Sequence, residues 1–381
     1  MLVGRLNVTN VRPPFRADHV GSLLRPRYLL EAREQAKKGE INAEALREIE
    51  DRAVQEIIAV QEDVGLKAIT DGEARRGSWH MDFLYEIGGV QKKSSDLKVH
   101  FHNKGGDLDF TPSALEVTDR LQLRSTIFEN AFNFLKTHVK KGTSKLTIPS
   151  PSMMHYRGGR QSVSHTAYPD MDSFYADLAR VYADEIDALG KLGCTYLQLD
   201  DTSLAYLNDP SQRELLAEQG GDPDKQHLIY IKTINDAVKN KPADMTITTH
   251  LCRGNFRSSW VASGSYDYVA DALFNQLDVD GYFLEFDDER SGGFEPLRLL
   301  PKGHKRVVLG LITTKNGELE DKGEILRRIE QAAKFAPLDQ LCISPQCGFS
   351  STYEGNDVTF DQQRRKLELV VEIANEVWGD A

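Results

Sequence analysis

What most constrains the fold of this chain is one pattern that recurs along it: an amphipathic helical stretch, a glycine stop, then a short apolar run ending in acidic or metal-ligating residues. After Asn42, a helix-capping residue type, Leu46, Ile49, Ala53, Ile57, Val60 and Val64 recur at steps of three or four as far as Gly65. LKAITDGEARRG follows and closes on Asp71, Gly72 and Glu73. That spacing sets one apolar stripe on a helix, and an unbroken apolar run behind it reads as a parallel strand covered on both faces. The pattern returns with Phe174, Leu178, Val181, Ile186 and Leu189, a break at Gly190 and Gly193, and TYLQLDD ending in Asp200 and Asp201. MTITTH, DGYFLEF, RVVLGLI and QLCIS are further runs of strand length, and RADHVGSLL and KLTIPS bring the count to about eight. Strands alternating with helices in this number predict an α/β fold, a (β/α)8 TIM barrel, in preference to a doubly wound sheet. The expected organisation is a single barrel domain over residues 1–381.

Two stretches interrupt the alternation. Residues 88–126 are polar and glycine-rich, with GGVQKKSSDLKVHFHNKGGDLDF at their centre, and predict a lid-like excursion after the second strand. Residues 209–225 form a second polar insertion.

Charge narrows the possible partners. Lys+Arg 47 against Asp+Glu 58 give a formal charge of -11, which opposes phosphate backbones and anionic lipid, and no basic cluster offsets it. Neither a nucleic acid nor a membrane is expected as a partner, since no apolar stretch approaches the roughly 20 residues that span a bilayer. MLVGRLNVTNVRPPF lacks the apolar centre of a secretory signal, so a cytoplasmic location is expected. In a reducing compartment the Cys 4 of this chain are better read as ligands, nucleophiles or packing residues than as a disulfide scaffold.

Barrel enzymes gather their reacting groups at the C-terminal ends of the strands. Here those ends carry His19, Gly21 and Ser22 on the first, Asp71 and Glu73 on the second, Asp200 and Asp201 on the fourth, His250 and Cys252 on the fifth. Glu285, Asp287 and Asp288 follow on the sixth, and the eighth leads into Cys347. His250 and Cys252 lie two apart on an extended segment, so both side chains can face one side, and Glu285 with Cys347 would complete a tetrahedral Zn2+ site. The alternative is a hydrogen-bonded core histidine with two small buried thiols. Cys194 and Cys342 sit in or beside apolar runs and read as packing. Asp200 and Asp201 point to opposite faces of a strand, so only one of them enters the barrel mouth. Glu73 either pairs with Arg75 and Arg76 or binds substrate, and Gly21 and Ser22 either make a turn or offer N–H groups to a carboxylate. The run His155, Tyr156, Arg157, Gly158, Gly159, Arg160 is a solvated loop or an anion site. No phosphate-binding, dinucleotide or nucleophile-elbow motif is present.

The ordered set RADHVGSLLRP, ITDGEARRG, LQLDD, THLC, FLEFDDERSGGFE and ISPQCGFSS resembles the catalytic barrel of the cobalamin-independent methionine synthase family over nearly the whole chain. The resemblance implies a zinc-dependent methyltransferase of methionine biosynthesis, in which the thiol of homocysteine accepts a methyl group. By motif it implies His250, Cys252, Glu285 and Cys347 as zinc ligands. Homocysteine's carboxylate would rest on Gly21 and Ser22, and its ammonium on Glu73 and Asp200, the two residues expected to be catalytic. Zinc would make the thiol a thiolate, the form that attacks a methyl group.

The departures from the family concern the donor. The chain resembles only the C-terminal of two fused barrels. The stretch after the seventh strand, LGLITTKNGE, has Thr313, Thr314 and Lys315 where a histidine would deliver a proton, and His155 and Tyr156 stand near where a tryptophan would pack a folate. A lysine with its usual pKa of about 10.4 is a poor acid, and a methyl-corrinoid carrier needs none, so methyltetrahydrofolate alone is expected to be the poorer donor. A second enzyme class is alkyl transfer to another small thiol, as in the epoxyalkane:coenzyme M transferases that barrels of this kind also resemble. A sulfonate thiol has no ammonium, however, and would leave Glu73 and Asp200 without a partner. Metal storage is a third reading, and a closed storage site needs no adjacent carboxylates.

Overall fold

The computed structural model describes residues 12–94, 99–102, 106, 108–110 and 113–380, so residues 1–11 and part of the 88–126 excursion lie outside the described residues. The strands are β1 (Ala68–Ile69), β2 (Gly88–Lys93), β3 (Val99–Phe101), β4 (Leu108–Phe110), β5 (Ala114–Gln122) and β6 (Thr143–Pro149). They continue with β7 (Tyr196–Asp201), β8 (Thr246–Leu251), β9 (Gly281–Glu285), β10 (Arg306–Ile312) and β11 (Leu341–Pro345). One parallel sheet runs in the order β1, β6, β7, β8, β9, β10, β11. It curls into a TIM barrel with helices outside, as the alternation predicts.

The expected first strand closes the ring without forming a regular strand. Ala17 bridges Ile343 in parallel, the Asp18 N–H donates to Ile343 O (3.1 Å), and the Ile343 N–H donates to Arg16 O (2.9 Å). On the other side the Leu23 N–H donates to Gly72 O (3.1 Å) and Thr70 Oγ1 to Gly21 O (2.7 Å). Residues 16–23 therefore fill the eighth place, between β11 and β1.

Strand parity sorts the core. Leu146 and Ile148 of β6 and Leu197 and Leu199 of β7 belong to the main apolar core, while Val20, Phe283, Val308 and Cys342 form a small separate apolar cluster. The alternate residues of β6 and β7 carry the polar groups of the interior. Lys145 Nζ donates to Asp18 Oδ1 (3.0 Å) and His19 O (2.6 Å), Tyr196 Oη donates to Asp18 Oδ2 (2.8 Å), and Gln198 Nε2 donates to Val20 O (2.6 Å).

Outside, the helix Ala43–Asp63 starts at Asn42, whose side chain accepts from the Ala45 N–H (2.8 Å). Its buried stripe is Ala53, Val54, Ile57 and Ile58, so Leu46, Ile49 and Val60 lie at the margin of the face that the spacing predicted. The helix Met171–Lys191 buries all five predicted positions. The polar insertion at 209–225 folds into the helix Pro210–Glu218, capped by Asp209 and anchored by buried Leu216.

After β1 the chain leaves the barrel. β2 pairs antiparallel with β5, and β3 with β4. His102 and Trp260 exchange two backbone bonds (2.7 and 2.9 Å), tying the excursion to the loop after β8. Among the described residues no helix is long and apolar enough to cross a membrane.

Candidate metal centre and substrate cavity

His250 is the penultimate residue of β8, and Cys252 lies just past the strand with its N–H bonded to Asp201 O (2.8 Å). Glu285 ends β9, and Cys347 lies just past β11. One ligand atom from each of these four residues lies within 4.8 Å of every other. The two sulfurs are 3.5 Å apart. A disulfide needs about 2.05 Å, whereas two thiolates on one tetrahedral zinc, each bonded at about 2.3 Å, sit about 3.8 Å apart.

The atoms around the four ligands fit a cation. His250 Nδ1 lies 3.4 Å from Phe283 O, and its Nε2 is buried with no hydrogen-bond partner. A carbonyl on one ring nitrogen fixes the other as a free lone pair, the usual support for a metal-binding histidine. Glu285 Oε1 accepts from the Arg253 N–H (2.8 Å), and Oε2 lies 3.5 Å from Arg290 Nη2 and 4.0 Å from Lys315 Nζ. That leaves a fully buried carboxylate facing two thiols. The Cys252 contact, against the effect of burial and together with His250, draws the Cys347 thiol well below its usual pKa. Sharing with Cys347 and then burial push Cys252 well up. Burial alone would lower His250, yet Cys347, Asp200 and Glu285 hold it near 9. Two sulfurs, an imidazole and a carboxylate thus compete for protons in one small space. A divalent cation satisfies all four at once, and this soft, mixed donor set suits zinc.

The cluster opens on a cavity of about 260 Å³ lined by His250, Cys252, Cys347, Glu73, Asp200 and Ser22, among others. Asp200 faces in, with Oδ1 accepting from Gln198 Nε2 (2.7 Å). Asp201 faces out, accepting from Ser152 Oγ, from Ser203 Oγ (2.8 Å) and from the Leu204 N–H (2.8 Å). Glu73 sits in the turn after β1 at φ 57, and its carboxylate is folded into the cavity wall. Thr147 Oγ1 donates to its Oε1 (2.7 Å) and Arg76 Nη1 lies 3.5 Å away, while Oε2 is buried without a partner. Burial raises Glu73, and burial followed by the charge of Glu73 raises Asp200. Two buried acids that destabilise each other's charge are what an ammonium ion relieves.

Gly21 does not line the cavity; it turns the chain so that Ser22 does. At φ +143, a Cβ on Gly21 would stand 2.6 Å from Thr147 Cγ2. Close packing against Thr147, whose hydroxyl holds Glu73, therefore requires glycine here.

Some predicted residues lie elsewhere. Asp71 Oδ1 accepts from the Glu73 N–H (2.9 Å) and shapes the turn. Asp287 pairs with Lys315 (3.2 Å) and Arg290 (3.4 Å) behind Glu285, and neither it nor Asp288 lines this cavity. Thr313, Thr314 and Lys315 are likewise absent from its wall. His155 is a core residue, its Nδ1 2.9 Å from Tyr230 Oη and its ring packed against Phe174 and Tyr175. Cys194 and Cys342 are buried away from the cluster. Trp79, His80, Phe101, Tyr206 and Phe256 line the cavity and were not singled out from sequence. The aromatic-rich GSWH directly after the acidic turn was the one signal for Trp79 and His80. Ser78 Oγ lies 3.2 Å from His80 Nδ1, and burial with the charge of Arg157 lowers this imidazole to about 3.

Comparison with known proteins bears on this geometry. A family model described as the catalytic domain of cobalamin-independent synthase matches residues 158–376. The uncharacterized protein YxjH of Bacillus subtilis is 46% identical over 96% of this chain and 96% of its own. A crystal structure of a putative vitamin-B12 independent methionine synthase from Listeria monocytogenes is 41% identical with a TM-score of 0.77, covering 96% of this chain and 99% of that one. The methionine synthase of Pyrococcus horikoshii is 26% identical over 86% of this chain and 84% of its own.

Proposed function

Since the chain belongs to the cobalamin-independent synthase family through its catalytic domain, whose activity is methyl transfer of the methionine synthase type, we propose that it is a zinc-dependent homocysteine S-methyltransferase. The observation that carries this reading is the cluster of His250, Cys252, Glu285 and Cys347 opening on the same cavity as Glu73 and Asp200. These four would hold the metal, which when bound supplies the charge that keeps the acceptor sulfur a thiolate at neutral pH. The turn at Gly21 and Ser22 receives the amino acid's carboxylate. Glu73, through its unpartnered Oε2, and Asp200 receive its ammonium and so aim the sulfur at the metal centre. On this reading residues 1–381 act as one barrel unit, with the excursion at 88–126 as its cover.

The donor is methyltetrahydrofolate or another methyl carrier. Cavity size favours a small one: about 260 Å³, with Arg157 and Tyr206 also lining a second cavity of about 360 Å³. Space of that order suits a ligand of some tens of atoms. A corrinoid would have to present its methyl group from outside. Thr313, Thr314 and Lys315 do not line the cavity, and burial keeps His80 on its wall neutral, so a donor whose departing group needs no proton suits this site better than a leaving amine.

The deciding experiment incubates zinc-loaded protein with homocysteine and, separately, methyltetrahydrofolate and methylcobalamin, and assays methionine. Formation of methionine from at least one donor is expected, and none from either overturns the reading. Asp200→Asn and Glu73→Gln are each expected to weaken homocysteine binding roughly ten- to a hundredfold while metal content stays unchanged, as for loss of a charge-assisted bond to an ammonium. Titration calorimetry with homocysteine and with 2-mercaptoethanesulfonate checks this. Equal affinity of the unmutated protein for both thiols would show that no ammonium site exists.

A further inference from the structure

The run from His155 to Arg160, open from sequence between a solvated loop and an anion site, is divided by the structure. His155 belongs to the core. Arg160 is consumed locally, donating to Val163 O (3.1 Å) and Tyr168 O (2.7 Å) and lying 2.8 Å from His165 Nδ1. Arg157 is left over. Half-buried, it lines both the metal-side cavity and the second cavity, and Tyr206 lines both beside it. Among the described residues no carboxylate lies within ion-pair distance of its guanidinium, whose polar neighbour is the Tyr206 hydroxyl.

An arginine cannot shed its charge, and a half-buried one without a counter-ion, in a chain of net charge -11, has forgone many available acids. Glu73, Asp200 and Glu354 line the first cavity, the first two assigned to the proposed ammonium site, and none of the three pairs with Arg157. Asp209 faces the second, but its oxygens are occupied by Ser211 N–H (2.9 Å), Ser211 Oγ (2.8 Å) and Ser263 N–H (2.9 Å). The rest of the second cavity offers neutral polar groups such as Ser211, Gln212, Gln219 and Ser263. A planar guanidinium that lines two cavities and has no carboxylate within ion-pair distance among the described residues is suited to take a carboxylate from a ligand, in a two-pronged contact. The ligand is not homocysteine, whose polar ends are assigned above to Ser22, Glu73 and Asp200. It is the molecule that must reach the thiol from the other side.

We propose that Arg157 binds a carboxylate of the methyl donor, and that the donor lies past Arg157 and Tyr206 with its methyl end in the metal-side cavity and its tail in the second. This rests on the reading of the first cavity as a methyl-transfer site. Both pieces of geometry, the shared wall and the unpaired arginine, are independent of which nitrogen or metal releases the methyl group.

The test measures binding by calorimetry, using zinc-loaded protein and two probes: 5-methyltetrahydrofolate, and its diamide, in which both glutamate carboxylates are carboxamides. Arg157→Gln is expected to weaken the carboxylate probe roughly ten- to a hundredfold and the diamide by less than about threefold, with zinc content and homocysteine affinity unchanged. Arg157→Lys, which keeps the charge and loses the fork, is expected to recover only part of the loss. Equal weakening of both probes, no weakening of either, or failure of the unmutated protein to bind the carboxylate probe while still binding zinc and homocysteine overturns this proposal and leaves the functional reading standing. Failure of the unmutated protein to bind homocysteine overturns the functional reading itself.

Discussion

Cys347→Ser protein is expected to purify without bound zinc and to lose methyl transfer by about 10³-fold or more, while Cys194→Ser keeps both. Zinc sites draw their affinity from thiolates, and a serine hydroxyl is neither soft nor ionised at neutral pH. Cys347 is also the sulfur that its neighbours drive furthest toward thiolate, through Cys252 and His250. Without the metal, an acceptor thiol of pKa about 8.5 is only a few per cent ionised at pH 7, and it loses its fixed position opposite the donor; together these two losses set the expected magnitude. Cys194 provides the contrast. It is equally buried, but its Sγ faces Tyr196 O at 3.5 Å and it belongs to the apolar core. Metal analysis of both variants, with circular dichroism to confirm the fold, checks the assignment. Full zinc content in the Cys347→Ser protein would remove it.

The barrel was legible because parallel strands covered on both faces read as largely apolar runs, and VVLGLI is wholly apolar while TYLQL and MTITT admit only uncharged polar residues. Its closure was harder to read. RADHVGS pairs through a single bridge at Ala17, and the carbonyls of His19, Val20 and Gly21 accept from the side chains of Lys145, Gln198 and Thr70 rather than from a neighbouring strand. Parity also served the site: adjacent Asp200 and Asp201 had to face opposite ways, and the structure turns one into the cavity and the other to Ser152 and Ser203. Asp287, read with Glu285 as closing the sixth strand, lies elsewhere: β9 ends at Glu285 and the chain turns, so Asp287 meets Lys315 and Arg290 instead. Trp79, His80 and Tyr206 went unnoticed for a different reason. Trp79 and His80 sit in a turn and Tyr206 ends the short helix Ser203–Tyr206, and their meeting in one cavity depends on packing between distant segments that local spacing does not encode.

Lys145→Met is expected to cost the fold about 3–5 kcal/mol, the usual penalty for removing one partner of a buried ion pair, because Asp18 then keeps its charge inside the barrel with no cation beside it. Both side chains are fully buried, 3.0 Å apart. The remaining contacts of Asp18 are neutral donors: Phe15 N–H (3.1 Å), His19 N–H (2.8 Å) and Tyr196 Oη (2.8 Å). Lys145 also lies over the rings of Phe283 (4.1 Å) and Tyr196 (4.8 Å), so its ammonium interacts with aromatic faces as well as with Asp18. Methionine fills a similar volume, and the loss therefore reports charge rather than a cavity. Adding Asp18→Asn to Lys145→Met removes the stranded charge and is expected to recover about 1–2 kcal/mol, since an amide still accepts from Tyr196 or the backbone. Denaturant midpoints of the two variants, read at unchanged slope, decide the matter. The pair also bears on function. Lys145 grips Asp18 and His19 O directly beneath Gly21 and Ser22, so a milder substitution that leaves the barrel folded, such as Lys145→Arg, should loosen the turn that receives the amino acid's carboxylate. That loosening would raise KM for homocysteine while zinc content stays at the unmutated level. A variant that loses zinc as fast as it loses homocysteine affinity would instead place Lys145 in general barrel stability alone.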